Sequence, residues 1–400
     1  MTPRPPPAIF ISAGESSGDH HGAAVAREIR RKLPRARLFG MGGREMEAAG
    51  VSRIAGLDEL SVMGGTEVLR RLPGFLRLER RIRRLFVTED VRLFLPIDYP
   101  ELNLRLARSA RRQGRRVLYY IAPQVWAWRE GRAAKLRRDC DRVLTVLPFE
   151  AALLERHGVR TDFVGHPLLD ATRAPEGGAG AGRPSGPPAA TGSTAALGGR
   201  TSSGGRVIGL FPGSRAQEVR HMLPVFAEAA RRLAGRHPDL DFIISRPPHL
   251  PEVLYAGAGF PTAGAREAAE RSWAALTKSG TITLELALAG VPMVVGYRMG
   301  RVEWAIGRRL VRVPSIVLVN LVAEAPVVPE FLQDRLTAED AAEALEGLLP
   351  EEAPARREML RGFEIVRERL GKPGCAARVA RHAIELLGDP DAEGRPGGPC

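Results

Sequence analysis

Lysine is nearly missing from this chain: only Lys32, Lys135, Lys278 and Lys372 contribute to its 59 cationic side chains. Cysteine is as scarce. Cys140, Cys375 and Cys400 have no C-x-x-C spacing, so a disulfide framework or zinc ribbon is excluded and a reducing compartment is expected. No apolar run reaches the roughly 18 residues of a membrane-crossing helix. The best candidate, Ile282 to Tyr297, is broken by Glu285, Gly290 and Pro292. The apolar run from Ala8 to Ala13 ends at Gly14 and Glu15, too early for a secretory signal. A cytoplasmic protein is expected, with contact to a membrane surface left open. A Walker A loop, an H-E-x-x-H motif and metal-spaced His/Asp clusters are also missing, which argues against P-loop phosphoryl transfer and zinc hydrolysis. Serine hydrolysis is likewise not expected.

What is present is a chain of 400 residues, 44% hydrophobic and 26% charged. That is enough for two or three domains with cores of their own. The net charge is +13, carried almost wholly by arginine. Guanidinium groups suit phosphate and carboxylate partners, although a genome biased toward Arg, Ala, Gly and Pro accounts for the composition equally well.

Short apolar runs alternate with helical stretches. Strands are expected at Ile9–Ser12, Arg35–Phe39, Arg92–Pro96, Arg116–Ile121, Arg142–Val146 and Asp162–Val164. A second series follows at Val207–Phe211, Asp241–Ser245 and Pro292–Tyr297. Continuous apolar strands separated by helices predict an α/β protein with two doubly wound parallel sheets, enclosing a cleft between them. Between the series, 28 of the 32 residues from Ala174 to Gly205 are Gly, Ala, Pro, Ser or Thr. Such a segment buries too little apolar area to offset its ordering entropy and reads as a flexible insert; residues 388–400 read as a loose tail.

Ligands of doubly wound sheets bind beyond the carboxyl ends of strands, and candidate residues cluster there. The first strand runs into Gly14-Glu15-Ser16-Ser17-Gly18-Asp19. Its glycines allow close approach of a ligand, and its hydroxyls and carboxylate suit an N-cap equally well. Asp98 follows a strand on a Pro-bounded loop, placed for general-base work or for capping the next helix. Gln124 and Trp126 occupy another post-strand loop, as a ligand wall or as buried packing. In the second half, Gly213, Ser214 and Arg215 precede a helix and suit a phosphate group, with Ser214 capping through Gln217 as the plainer alternative. Ser279, Gly280 and Thr281 repeat the arrangement before a helix carrying Glu285, a carboxylate suited to ribose hydroxyls. Asn320 lies in an expected strand or loop beside them. Between Arg70 and Arg84 stand seven Arg and one Glu, either the solvated side of a core-facing helix or a segment resting on anionic lipid.

Five strings occur in one order: S-A-G-E-S-S-G-D from Ser12, A-P-Q-V-W-A-W-R from Ala122, V-G-H-P-L-L-D from Val164, P-G-S-R from Pro212 and S-G-T-x-T-L-E from Ser279. Together they resemble the lipid-A-disaccharide synthase family, from about Ile9 to Leu370. The resemblance implies a GT-B glycosyltransferase: two Rossmann-like domains, residues 1–173 and 206–350, with an interdomain active-site cleft. It also implies that terminal helices, about 351–387, return to the first domain. The implied reaction joins UDP-2,3-diacylglucosamine to 2,3-diacylglucosamine 1-phosphate (lipid X) with inversion, giving a β-1,6 disaccharide 1-phosphate and UDP with no catalytic metal and no cofactor. Asp98 matches the family's candidate base. Gly213, Ser214, Arg215, Ser279, Gly280, Thr281, Glu285 and Asn320 match a UDP-binding set. Gly14, Glu15, Ser16, Ser17, Asp19, Gln124 and Trp126 match the acceptor side. Lipid substrates imply peripheral association with the anionic inner-membrane surface of a Gram-negative bacterium, and the resemblance is compatible with a homodimer. Nucleic acid is not an expected partner. The competing enzyme readings are a UDP-N-acetylglucosamine epimerase and a peptidoglycan-type N-acetylglucosamine transferase. Departures from the family pattern are Leu102, where an aromatic is usual, and the polar stretch Arg271–Lys278, where a strand is expected.

Overall fold

A computed structural model describes residues 5–59, 68–123, 131–171, 205–300, 304 and 314–388. The expected insert (apart from Gly205) and the tail after Gly388 lie outside the described residues, as do Gln124 and Trp126. The chain divides into two units, one made of residues 1–182 and 370–400, the other of residues 183–369.

The first unit is a seven-stranded parallel sheet in the order β3-β2-β1-β4-β5-β6-β7. The strands are β1 (Ala8–Ala13), β2 (Arg37–Met41), β3 (Ser52–Ala55), β4 (Val91–Ile97), β5 (Arg116–Tyr120), β6 (Arg142–Thr145) and β7 (Thr161–Phe163). Every residue of β1 is buried, which is why a continuous apolar run encodes a central strand here. On one face Phe10, Phe86 and Phe94 pack with ring centroids 5.3–6.0 Å apart. Burying one such ring stabilises the fold by about 1.5–3 kcal/mol.

Phe86 comes from the arginine-rich helix Val68–Thr88, which also buries Leu78 and Ile82. Glu79 lies on this inner side as well, 2% exposed. It is tolerated there because Arg83 of the same helix and Arg105 of the neighbouring helix Pro100–Arg112 both pair with it, a buried charge compensated twice. Arg77, Arg80, Arg81 and Arg84 face outward.

The second unit is a six-stranded parallel sheet in the order β10-β9-β8-β11-β12-β13. Its strands are β8 (Arg206–Phe211), β9 (Leu240–Ser245), β10 (Thr262–Ala263), β11 (Ala274–Lys278), β12 (Met293–Tyr297) and β13 (Glu330–Leu332). The stretch Arg271–Lys278, more polar than the strand expected there, resolves simply. Its polar start ends the helix Ala265–Arg271, and the strand begins at Ala274. Asn320, expected on a strand or loop, sits in the helix Leu318–Ala323.

The terminal helices correct the expected boundary. The helix Pro354–Arg369 belongs to the second unit and only Cys375–Gly388 belongs to the first. Packing decides this division. Arg356 stacks its guanidinium 3.9 Å from the Trp273 ring centroid, immediately before β11, and donates to the Trp273 carbonyl at 3.1 Å. Burial lowers its pKa to about 10. The last helix is instead held by Asp170, whose carboxylate accepts from the amides of Gly374, Cys375 and Ala376 at 2.5–3.2 Å. Asp170 closes the V-G-H-P-L-L-D string, so that string works as a fastener for the returning helix.

Candidate active site

In each sheet the first strand lies beside the strand that begins the second half of the winding, β1 beside β4 and β8 beside β11. These are the two topological switch points, where the flanking loops turn away from each other and leave a crevice at the carboxyl ends. The expected loops stand at both.

At the first switch point, Ala13 pairs with Ile97, so the loops after them emerge side by side. Asp98 and Tyr99 are both left-handed, with φ of 44° and 49°. Each such non-glycine residue costs on the order of 1 kcal/mol, and side chains hold them there. The Asp98 carbonyl accepts from Asn103 Nδ2 at 2.7 Å and from Tyr119 Oη at 2.8 Å. Asn103 is fully buried. Its Oδ1 accepts from Ser12 Oγ at 2.6 Å, tying the end of β1 to the same point. The Tyr99 ring lies over Gly14, where a Cβ would fall 2.2 Å from the ring. Gly14 is therefore required by an aromatic side chain rather than by a ligand's approach.

The Asp98 side chain is open to solvent, yet the protein packed around it withholds enough water to push its pKa up to about 6. The nearby Glu15 carboxylate adds repulsion. Glu15, Ser16 and Ser17 are exposed beside it. Asp19 is not: it is buried, and its carboxylate accepts from the amides of Gly43, Glu45 and Met46 at 2.7–3.1 Å. It thus caps the helix Arg44–Ala48 of the next β-α unit, and neither an acceptor-binding role nor capping of its own helix fits. The N-cap position of the helix Ser16–Lys32 is Glu15, with no side-chain cap.

Gly14 to Gly18 also carries the spacing G-x-S-x-G of a serine nucleophile at a strand-to-helix turn. What opposes serine hydrolysis here is the engagement of the neighbouring histidines, not the absence of that motif. His20 pairs with Glu45 at 2.8 Å, and His21 packs against the Tyr120 ring with centroids 6.4 Å apart. Neither is hydrogen-bonded to Ser16, which leaves the hydroxyl unactivated. His21 and His166 are both pushed down to about 4, by burial first, so they stay neutral near pH 7.

At the second switch point Gly213 has φ 124°, and a Cβ there would lie 2.5 Å from the Glu218 carboxylate. That carboxylate accepts from the amides of Ser214 and Arg215 at 2.9 and 3.3 Å and from Lys278 Nζ at 3.0 Å. Burial alone would raise its pKa, but Lys278 and the two amides hold it below the ordinary range. The helix Ala216–Arg236 is therefore capped from within, with Glu218 rather than Gln217 as the partner. The expected phosphate cradle keeps the exposed Arg215 side chain, but two of its amides are engaged. The Glu218–Lys278 pair joins this loop to Ser279–Thr281.

Ser279 is buried and donates to the Ile316 carbonyl at 2.7 Å, while Gly280 and Thr281 stay accessible. Glu285 is exposed and has no hydrogen-bond partner among the described residues; partial burial raises its pKa. Asn320 is committed elsewhere. Its amide donates to the Val328 carbonyl at 3.0 Å and accepts from the Val328 amide at 2.9 Å, so it braces the loop instead of facing a ligand. Sequence reasoning missed Asn103, Tyr119 and Lys278. The first two lie in apolar surroundings that read as core, and Lys278 ends a strand in a stretch that read as polar.

Comparison with known proteins agrees with both units. The family profile described as lipid-A-disaccharide synthetase matches residues 9–378. The chain is 40% identical to the lipid-A-disaccharide synthase of Geobacter sulfurreducens over 95% of this chain and 97% of that one. It is 37% identical to that of Acidobacterium capsulatum, over 95% and 96%. Among solved structures, UDP-GlcNAc 2-epimerase from Neisseria meningitidis bound to UDP-GlcNAc shares the fold with TM-score 0.61 at 11% identity, covering 95% of this chain and 99% of that one. CalG4, the calicheamicin glycosyltransferase, shares it with TM-score 0.57 at 16% identity, over 96% and 99%. With two Rossmann-like units of the GT-B kind and a family match along nearly its whole length, this chain belongs to the lipid-A-disaccharide synthase family.

Proposed function

We propose that the protein is an inverting hexosyltransferase that condenses UDP-2,3-diacylglucosamine with lipid X, forming the β-1,6 disaccharide 1-phosphate and releasing UDP. The family match over residues 9–378 carries this reading. Asp98 is the general base. Its carboxylate takes the proton of the acceptor 6-hydroxyl as that oxygen attacks the anomeric carbon of the donor, and the bond to the diphosphate breaks on the opposite face. A carboxyl with a pKa near 6 is ionised at neutral pH and is a stronger proton acceptor than an ordinary aspartate. Glu15, Ser16 and Ser17 line the acceptor side.

The second unit binds the donor. Because Glu218 engages the Ser214 and Arg215 amides, cationic side chains rather than the helix end carry the leaving diphosphate: Arg215, aided by Lys278. Glu285 accepts from the ribose hydroxyls. The epimerase reading shares this uridine half but leaves the acceptor strings of the first unit without a purpose.

No helix among the described residues is long and apolar enough to cross a membrane. Contact with the anionic lipid surface is assigned to the arginine-rich helix Val68–Thr88, in which Arg77, Arg80, Arg81 and Arg84 face outward. Replacing Arg70, Arg71, Arg80 and Arg81 with Gln is expected to reduce sedimentation with anionic vesicles; unchanged sedimentation removes that assignment. The reaction itself is tested by incubating the purified chain with both lipid substrates and a chelator, then weighing the products by mass spectrometry. Disaccharide 1-phosphate and UDP are expected. UDP binding without disaccharide would leave the donor site standing and reject the acceptor.

A further inference from the structure

Two buried side chains that take no part in the proposed chemistry hold the Asp98 backbone. Tyr119, on β5, is fully buried and donates its hydroxyl hydrogen to the Asp98 carbonyl at 2.8 Å. Asn103, also fully buried, donates to the same carbonyl at 2.7 Å. Neither bond involves the carboxylate. Both act on a peptide group whose residue is left-handed without being glycine, followed by a second such residue. A carbonyl accepting two hydrogen bonds is held against the rotation that would return Asp98 to an extended conformation, and backbone conformation sets where the carboxylate stands.

We propose that Tyr119, together with Asn103, is a positioning residue for the reaction: by fixing the Asp98 carbonyl it keeps the carboxylate in its crowded place at the first switch point. The inference rests on the reading of Asp98 as the base. The charged groups around that carboxylate are Glu15 from the loop after β1, Glu101 from the helix Pro100–Arg112, and Arg132 from the helix Gly131–Asp139. Arg132 is itself paired with Glu101 at 3.0 Å. Of these three, Glu15 acts most strongly on the Asp98 carboxylate. Releasing the peptide lets the carboxylate swing from Glu15 toward water, so its pKa falls toward the ordinary aspartate range.

Tyr119→Phe removes one oxygen from a buried ring and is the test, read in two ways on the full-length chain. In the first, aspartate carboxyls are labelled with carbon-13, and the Asp98 signal is assigned by its loss in Asp98→Asn. Its titration midpoint is expected to be lower by about half a unit or more in Tyr119→Phe than in the parent. In the second, kcat for disaccharide formation is expected to fall roughly 3–10-fold, with the donor KM within about twofold of the parent value. An unmoved midpoint overturns the proposal whether or not kcat falls, because a merely structural hydroxyl would lower stability without touching Asp98. A moved midpoint with full kcat overturns it too. Parent-like turnover in Asp98→Asn would reject the base while the titration still decides whether Tyr119 holds that carboxyl.

Discussion

The two switch points are built on the same plan and carry opposite charge. In the first, Glu15, Asp98 and Glu101 gather around one loop, and burial, helped by their mutual repulsion, raises a carboxyl pKa. In the second, burial of Glu218 is outweighed by the Lys278 cation and the Ser214 and Arg215 amides, which lower a carboxyl pKa. The contrast teaches that topology supplies only the crevice. Loop side chains decide whether it gathers carboxylates or cations. In both crevices some of the conspicuous polar residues are spent inside the protein. Asp19 caps a neighbouring helix, Glu218 its own, and Asn320 braces a loop.

The largest effect should come from removing the proposed base. Asp98→Asn is expected to cut turnover by roughly 10²-fold or more while leaving UDP affinity unchanged by calorimetry. Equal losses in binding and turnover would mean that the two crevices do not divide the work.

The acidic limb of kcat offers the next test. A proposed base must be ionised to act, so kcat should rise with pH through about 6, and at pH 5 it should be about a tenth of its plateau. A limb in the ordinary aspartate range would remove the crowding that distinguishes the first crevice. The same shift acts on stability with a definite sign. A carboxyl whose folded pKa is raised binds its proton more tightly in the native state, so its contribution declines as pH rises from about 4 to about 6.

Arg215→Ala should weaken UDP binding roughly tenfold, the scale of one charge-assisted contact at an exposed site, and should leave the pH limb in place. Glu285→Gln should be the mildest of these changes, weakening UDP by roughly two- to threefold. A large effect of Glu285→Gln on the pH limb instead would place it with the proton chemistry.

The central strands were legible because they are buried on both faces and read as unbroken apolar runs, β1 and β4 above all. Four strands were not read from apolar runs: β3, β10 and β13 lie at sheet edges with two to four residues each, while the central β11 was obscured by the polar residues that precede it. An edge strand is half covered and need not be apolar. The loops that hold the candidate site were also legible, as Gly- and Ser-rich breaks after apolar runs. The use of each polar side chain was not. Asp19 read as the cap of its own helix and instead caps one that begins 25 residues later in the chain. Gly14 read as room for a ligand and instead makes room for Tyr99.

By itself the sequence determined the α/β alternation, the two series of strands, the site-bearing loops and the family strings. Each of these is written in local order and composition. Only tertiary structure decided that β1 meets β4 and β8 meets β11, that the last two helices divide between the units at Leu370, and that Asn103 and Tyr119 converge on one carbonyl. Those outcomes depend on contacts between residues far apart in the chain. A hydrogen-bonding side chain takes the partner that folding brings within about 3 Å, and nothing in its immediate sequence names that partner.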